Sequence, residues 1–245
     1  MFWNDDDESG SASPANETID FVFQLVGSTL PQEYISAFAN SLRDQAQWWN
    51  ENDNLSFHMN IAGEEGNGWF RGDDPDDVIY ISRRNLLVVR GSRSMADVIQ
   101  QLAGVELVLM KQAEQQKKQP GQQQHQQQIA QNNVQHTVRL KHKHNKEIKP
   151  SPTLYSRFVV CGDQEEGEFL NEVVRYLRGL NVNCKKLLCG KQRKINIADT
   201  QVNTCSLMLE GLNKDDSILL QSRGIGDFQK YGCGVLIPHK SLSQD

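Results

Sequence analysis

Residues 21–26 read Phe-Val-Phe-Gln-Leu-Val, and this apolar stretch opens a pattern that the chain uses twice. The Leu30-Pro31 turn that follows favours the start of a helix, because proline lacks only an N–H that the first helical turn leaves unpaired. Apolar residues then recur at helical spacing, namely Ile35, Phe38, Ala39, Leu42, Ala46 and Trp49. The stretch therefore predicts a strand followed by an amphipathic helix.

The rest of the first region completes a β-α-β-β-α-β order. Residues 55–61, Leu-Ser-Phe-His-Met-Asn-Ile, alternate apolar and polar side chains as a half-buried strand does. A Gly- and Asp-rich connection at 63–77 precedes strand-like residues 78–90. A short helix at 95–102 and a strand at 105–109 follow.

The second region repeats this order. Its predicted elements are a strand from Leu154 to Cys161, a helix at 166–180, strands at 182–189 and 202–210, a short helix at 214–222 and a last strand at 231–237. Two successive units of this kind predict an α+β fold of two tandem ferredoxin-like (RRM-like) domains. That fold hosts many functions and does not assign one by itself.

Composition sets the expected domain boundaries. Residues 1–17 form an acidic, polar tail that is expected to be disordered. Residues 112–136 hold 12 glutamines in 25 positions, which predicts a low-complexity linker. The N-terminal domain is then 18–111 and the C-terminal domain 137–245, with the return of part of 137–149 to the first domain left open.

Charge and cysteine content narrow the class of protein. Residues 1–136 carry 9 Lys and Arg against 19 Asp and Glu, whereas residues 137–245 carry 17 against 12, so the second part is basic. Five cysteines without a CxxC pair indicate reduced thiols rather than a zinc site. No apolar run is long enough for a membrane span. We expect a cytoplasmic protein with no metal, no cofactor and no membrane partner.

The most specific motif is a glycine pattern near the C-terminus. Residues 224–236 follow G-h-G-x5-G-h-G-h, where h is apolar, with glycines at Gly224, Gly226, Gly232 and Gly234 and a lysine, Lys230, in the spacer. Glycines allow positive φ and the close approach of backbone amides to phosphate, and lysine adds charge. A glycine-rich hairpin made only for turn geometry is the alternative.

With these motifs the chain resembles the repeat-cleaving endoribonucleases of CRISPR systems, the Cas-six family of the RAMP superfamily. The glycine motif carries the resemblance, together with Leu30-Pro31 and residues 55–61, 81–90 and 152–157, which are similar to the subgroup first described in myxobacteria. The resemblance implies a metal-independent endoribonuclease that cleaves CRISPR repeat RNA by 2′-hydroxyl attack. Its expected partners are that RNA and other Cas subunits of an effector complex.

His58 and Tyr34 are the candidate catalytic residues. His58 lies on the polar side of its predicted strand, and imidazole titrates near neutrality. A solvated strand histidine is the alternative. In the subgroup that the chain resembles, a histidine follows the Leu-Pro turn, whereas this chain has Tyr34 there. Tyrosine is a poor base, so a slow or inactive protein that only holds the repeat RNA remains a second hypothesis.

Three basic clusters are predicted to contact RNA phosphates. They consist of Arg83, Arg84, Arg90 and Arg93; of Arg139, Lys141, Lys143 and Lys146 with His142 and His144 between them, followed by Lys149; and of Lys185, Lys186, Lys191, Arg193 and Lys194. Charged loops are often only solvated, so the clusters favour RNA mainly in combination with the glycine motif. An unrelated RNA- or nucleotide-binding ferredoxin-like protein is the third hypothesis.

Overall fold

The computed structural model describes residues 17–61, 78–110, 135–197 and 200–240. The predicted tail up to residue 16, the whole Gly- and Asp-rich connection and most of the Gln-rich segment lie outside the described residues. No helix in the described ranges is long and apolar enough to cross a membrane.

The first domain is built around a five-stranded antiparallel sheet. In chain order its elements are β1 (Thr18–Val26), β2 (Thr29–Pro31), α1 (Tyr34–Gln45), α2 (Gln47–Glu51), β3 (Ser56–Asn60), β4 (Val78–Tyr80), β5 (Leu86–Ser92), α3 (Ala96–Ile99), β6 (Glu106–Met110) and β7 (Gln135–Glu147). The sheet order is β3-β5-β1-β7-β6, and β2 pairs with β4 in a separate ribbon. One face of the sheet packs against α1 through residues such as Phe21, Phe23, Phe38 and Leu42.

Strand β7 corrects the expected domain boundary. Residues 137–149 were assigned to the second domain, with a return to the first left open, but β7 pairs with both β1 and β6 of the first sheet. The physical reason is that Val138 and Leu140 complete the first core. The Gln-rich segment therefore connects two neighbouring strands of one domain and does not link the two domains.

The second domain follows the predicted order with one additional strand. Its elements are β8 (Thr153–Val160), α4 (Glu166–Gly179), β9 (Lys186–Cys189), β10 (Arg193–Ile197), β11 (Thr200–Glu210), α5 (Lys214–Arg223) and β12 (Ile237–Pro238). The sheet order is β10-β11-β8-β12, and β9 pairs with β11 next to β10. Leu154, Val173, Leu209 and Leu220 are among the core residues. The chain thus folds as two tandem ferredoxin-like domains of the α+β class.

Local differences from the sequence predictions have local causes. The predicted strand at 78–90 is two strands, because Ser82 donates from its backbone N–H and its hydroxyl to the side-chain oxygen of Asn85 and forms a turn. The predicted last strand at 231–237 is reduced to β12, since residues 224–236 are mostly turns. Strand β10 was not predicted, because Arg193 and Lys194 give its first half no apolar alternation.

Candidate nucleic-acid interface

The glycine-rich loop, residues 224–236, lies between the two domains. Its single turn of 3-10 helix, Gln229–Tyr231, packs against β3 and α1 of the first domain. On its other side, the Gly234 N–H donates to the carbonyl oxygen of Phe158 in β8 at 2.6 Å. The loop is therefore part of the contact between the domains.

Most of the loop amides whose glycines define the motif are already bonded within the protein. Gly224 donates to the Leu220 carbonyl at 2.8 Å and Gly232 to that of Gln229 at 3.0 Å. An N–H that is already donated is not free to bind a phosphate. The exposed part of the loop is its tip, Gly226, Asp227 and Phe228. Three of the four motif amides therefore donate within the protein, which leaves the exposed tip, with Gly226, as the part of the loop that can approach a phosphate.

Lys230 links the loop to the first domain. Its Nζ lies 3.1 Å from Oδ1 of Asp53 and donates to the Asn50 carbonyl at 3.2 Å. The next residue makes a second link, since Arg43 Nη1 donates to the Tyr231 phenol oxygen at 3.0 Å. Lys230 would have to exchange Asp53 for an RNA phosphate. Sequence analysis missed Arg43 and Asp53, and their separation from the loop by more than 170 positions leaves no local signal.

His58 lies on the polar face of β3, as its strand pattern predicted, but that face is covered at this point. Both ring nitrogens are buried and have no hydrogen-bond partner among the described residues. Burial, followed by the nearby Arg90 guanidinium, lowers the pKa of His58 to about 4, although Asp20 opposes the shift. His58 is therefore neutral at pH 7, and neither nitrogen is open to a substrate.

Tyr34 is the first residue of α1 and belongs to the core of the first domain, with 2% of its surface exposed. It lies on the side of the first sheet that packs against α1, whereas His58 lies on the opposite side. The structure does not bring these two predicted catalytic residues together at an open site.

Arg90 was predicted to bind RNA, and its position corrects this. The side chain is 2% exposed and forms a bidentate pair with Asp20, with N–O distances of 2.7 and 3.1 Å. Its Nη1 also donates to the carbonyl oxygens of Gln221 and Leu236 in the second domain. The guanidinium holds the two domains together, and contact with RNA would require it to leave these partners.

The remaining predicted RNA-binding residues are exposed and lie on separate elements. Arg83 and Arg84 lie in the turn before β5. On β7, Lys141 and Lys143 are exposed, and Arg139 pairs with Glu106 of β6 at 2.6 Å. The second domain exposes the other cluster on and before β9 and on β10, namely Lys185, Lys186, Arg193 and Lys194. The basic residues thus divide between the two sheets.

Within the described ranges, no group of three or more His, Cys, Asp or Glu residues is placed to hold a metal ion. The five cysteines are free thiols.

Comparisons with known proteins agree with the family resemblance. The family model described as Cas6 Crispr matches residues 19–131 and 114–241. A CRISPR-associated endonuclease Cas6 of Myxococcus xanthus (strain DK1622) is 30% identical over 92 residues, which are 37% of this chain. The match spans 40% of the length of that relative.

Solved structures are similar at the level of the fold. A CRISPR associated protein Cas6 superposes with a TM-score of 0.55 at 11% identity, covering 91% of this chain and 100% of that one. Thermus thermophilus Cse3 bound to an RNA representing a pre-cleavage complex gives a TM-score of 0.43 at 11% identity, over 90% of this chain and 98% of that one. The superposition on the CRISPR associated protein Cas6 supports the two-domain fold.

Proposed function

Because the chain belongs to the Cas6 family, whose model matches both of its domains, we propose that it binds CRISPR repeat RNA and cleaves it as an endoribonuclease. The family match carries this proposal. The exposed basic residues of β7, β9 and β10 support it, since they offer cations to an RNA backbone. We further propose that the processed RNA stays bound to this protein in a complex with other Cas subunits.

The proposed reaction needs no metal. The 2′-hydroxyl loses its proton and its oxygen attacks the adjacent phosphorus. The bond to the 5′-oxygen then breaks, and that oxygen takes up a proton. The products are a 2′,3′-cyclic phosphate and a 5′-hydroxyl. A base and an acid must serve these two proton transfers.

His58 can take part only if its surroundings change when RNA binds. Its imidazole would need a path to the RNA, which requires the second domain to move away from β3. A phosphate anion next to the ring would then raise the pKa of His58 from about 4 toward neutrality, because an opposite charge favours the imidazolium. Tyr34 would likewise have to leave the core to reach RNA.

A second function is favoured by this burial. A protein that holds repeat RNA without cutting it has no need for an accessible acid–base pair, and both His58 and Tyr34 are closed off from substrate. This candidate shares the RNA-binding surface of the first and differs only in turnover.

The deciding experiment incubates the parent protein in excess with end-labelled repeat RNA from its own CRISPR array. Cleavage to a product with a cyclic phosphate supports the enzyme. RNA with a 2′-deoxy residue at the cut site should bind and stay intact, and excess EDTA should leave the rate unchanged. Loss of cleavage in EDTA with recovery in Mg²⁺ would contradict the metal-free reaction, and tight binding without any product would establish the second function.

His58→Ala and Tyr34→Phe extend this experiment to the candidate residues. If His58 becomes the base, His58→Ala should lose at least about 100-fold in single-turnover rate with little change in affinity, as removal of a general base does. A parental rate in both variants would assign the chemistry to other groups.

A further inference from the structure

The outer face of the first sheet, opposite α1, is only half covered by the second domain. Over β3 and β5 it is closed, and Ser56, Val88 and Arg90 are buried there. The second domain stops covering this face between β1 and β7. The residues of β7 on this face, from Arg139 to Lys146, are exposed. The face over β7 and β6 is therefore an open strip beside the second domain.

An irregularity in the pairing places the lysines of β7 on this strip. Lys141 lies opposite Gln24 and Lys146 opposite Asp20, although the two lysines are five residues apart and their partners four. In a regular strand an odd spacing would put them on opposite faces. The register shift between Val22 and Phe23 absorbs the extra residue, so that both lysines face outward.

The resulting row of cations is only partly neutralised within the described part of the chain. Arg139 pairs with Glu106, but Lys141 and Lys146 have no ion pair there. Asp20, the cross-strand neighbour of Lys146, is occupied by Arg90. Like charges along one strand repel, so a solvated surface would be more stable with mixed charges. The row therefore suits a ligand with repeated negative charges.

We propose that this row, Arg139, Lys141 and Lys146 with His144 between the lysines, binds the phosphate backbone of single-stranded RNA. The assignment rests on the proposed function and names a second contact for its substrate. The strip covers β7, β6 and the exposed Val26 end of β1, at most about 10 Å between the outermost strands, which is narrower than an RNA double helix. Contacts to phosphate alone are independent of sequence.

Two further features fit an unpaired strand. Val26 and Met110 point to the same side as Arg139 and are 46% and 48% exposed, so they can contact the faces of unstacked bases. The backbones of β7 and of β3, which carries His58, are three strand spacings or roughly 14 Å apart. Lys146 nevertheless lies close enough to His58 to lower the pKa of its imidazole, so RNA held on the row passes beside the proposed chemistry.

The test compares the parent with the double variant Lys141→Gln/Lys146→Gln. The probe is a 20-nucleotide oligouridylate, and its affinity is measured by fluorescence anisotropy from low to moderate salt. Two lost phosphate contacts should lower the slope of log K against log salt by about 1.4, with at least about a tenfold loss of affinity at low salt. The control, Arg175→Gln/Lys214→Gln, removes two exposed cations of the second domain and should bind within twofold of the parent.

The outcomes separate this proposal from the proposed function. The proposed role of the row is wrong if the parent and Lys141→Gln/Lys146→Gln bind oligouridylate equally, or if the parent does not bind it. It is also wrong if the double variant loses more affinity for a 20-base-pair RNA duplex than for the single strand. If the row is overturned while repeat RNA is still cleaved, the proposed function stands. If oligouridylate binding depends on the row but repeat RNA is not preferred, the row stands and the proposed function fails.

Discussion

Arg90 on β5 and Asp20 on β1 are direct cross-strand partners and form a bidentate ion pair from which water is almost excluded. The same guanidinium donates to two carbonyl oxygens of the second domain at 2.8 and 2.9 Å. One side chain thus satisfies a buried carboxylate and joins two domains. The interface depends on this group far more than on any exposed ion pair.

Replacing Arg90 by methionine should therefore destabilise the protein strongly. The substitution leaves Asp20 buried without a partner, which costs about 3–5 kcal/mol of unfolding free energy. Arg93→Met is the matched control, because Arg93 pairs with Glu147 on the surface and such pairs contribute about 0–1 kcal/mol. Urea denaturation of both variants measures the difference. If Arg90→Met lowers the unfolding free energy by less than about 1 kcal/mol, Arg90 does not hold the two domains together.

The buried imidazole of His58 predicts a pH dependence of stability. Its pKa is about 4 in the folded protein and 6.5 when unperturbed, so between these values the unfolded chain binds a proton that the folded one excludes. Stability must then fall as the pH decreases from about 6.5 to about 4, by up to about 1.4 kcal/mol per pH unit.

His58→Gln should weaken this dependence, to which His136, whose pKa is also lowered by burial, still contributes. His144→Gln, on the exposed part of β7, should retain the full dependence. Unfolding free energies from urea titrations at several pH values in that window give the comparison. If the unfolding free energies of the parent and of His58→Gln change with pH in parallel, the imidazole of His58 is not shielded from protonation in the folded protein.

Two glycines of the loop should respond differently to alanine. A Cβ on Gly234 would lie 1.9 Å from the Ile225 carbonyl oxygen, which is backbone and cannot move aside, and its φ is +64°. Gly234→Ala should cost about 3 kcal/mol or more. Gly226 has a similar φ, +69°, but its nearest neighbour would be 3.7 Å away, so Gly226→Ala should cost about 1–2 kcal/mol. Thermal melting ranks the two, and equal losses would contradict the packing argument.

The Gln-rich segment can be shortened only up to the start of β7. Replacing residues 112–134 by a short Gly/Ser linker should leave stability nearly unchanged, because this composition gains little from ordering. Extending the deletion through residue 136 should destabilise the first domain. It removes the buried His136, whose Nδ1 lies 2.8 Å from the Thr29 hydroxyl. Circular dichroism melts of the two deletions test this, and identical melting temperatures would argue against it.

The sequence predicted most of the elements but not what covers them. The alternation at 55–61 correctly placed His58 on the polar face of a strand, yet periodicity cannot show that a second domain closes that face. Helical spacing predicted α1, although Pro31 ends β2 and does not open the helix. The inward direction of Tyr34 depends on packing.

Long-range pairing was the main gap in prediction from sequence. Arg90 carries the same charge as Arg83 and Arg84, and only its cross-strand partner Asp20 distinguishes a buried clamp from exposed cations. The position of Lys146 on the outer face depends on a pairing irregularity that alternation alone would have missed. Composition also misleads, because the low-complexity segment predicts a domain boundary but joins β6 and β7 of one domain.

The position of β7 between β1 and β6 has a consequence for synthesis on the ribosome. The earlier strands of the sheet are made first, but β1 keeps an open edge until the residues of β7 have left the exit tunnel. An unpaired strand edge is a site for aggregation and for contact with chaperones. Every nascent chain must therefore carry this edge for as long as the Gln-rich segment is being translated, so the length of that segment sets how long the edge stays exposed.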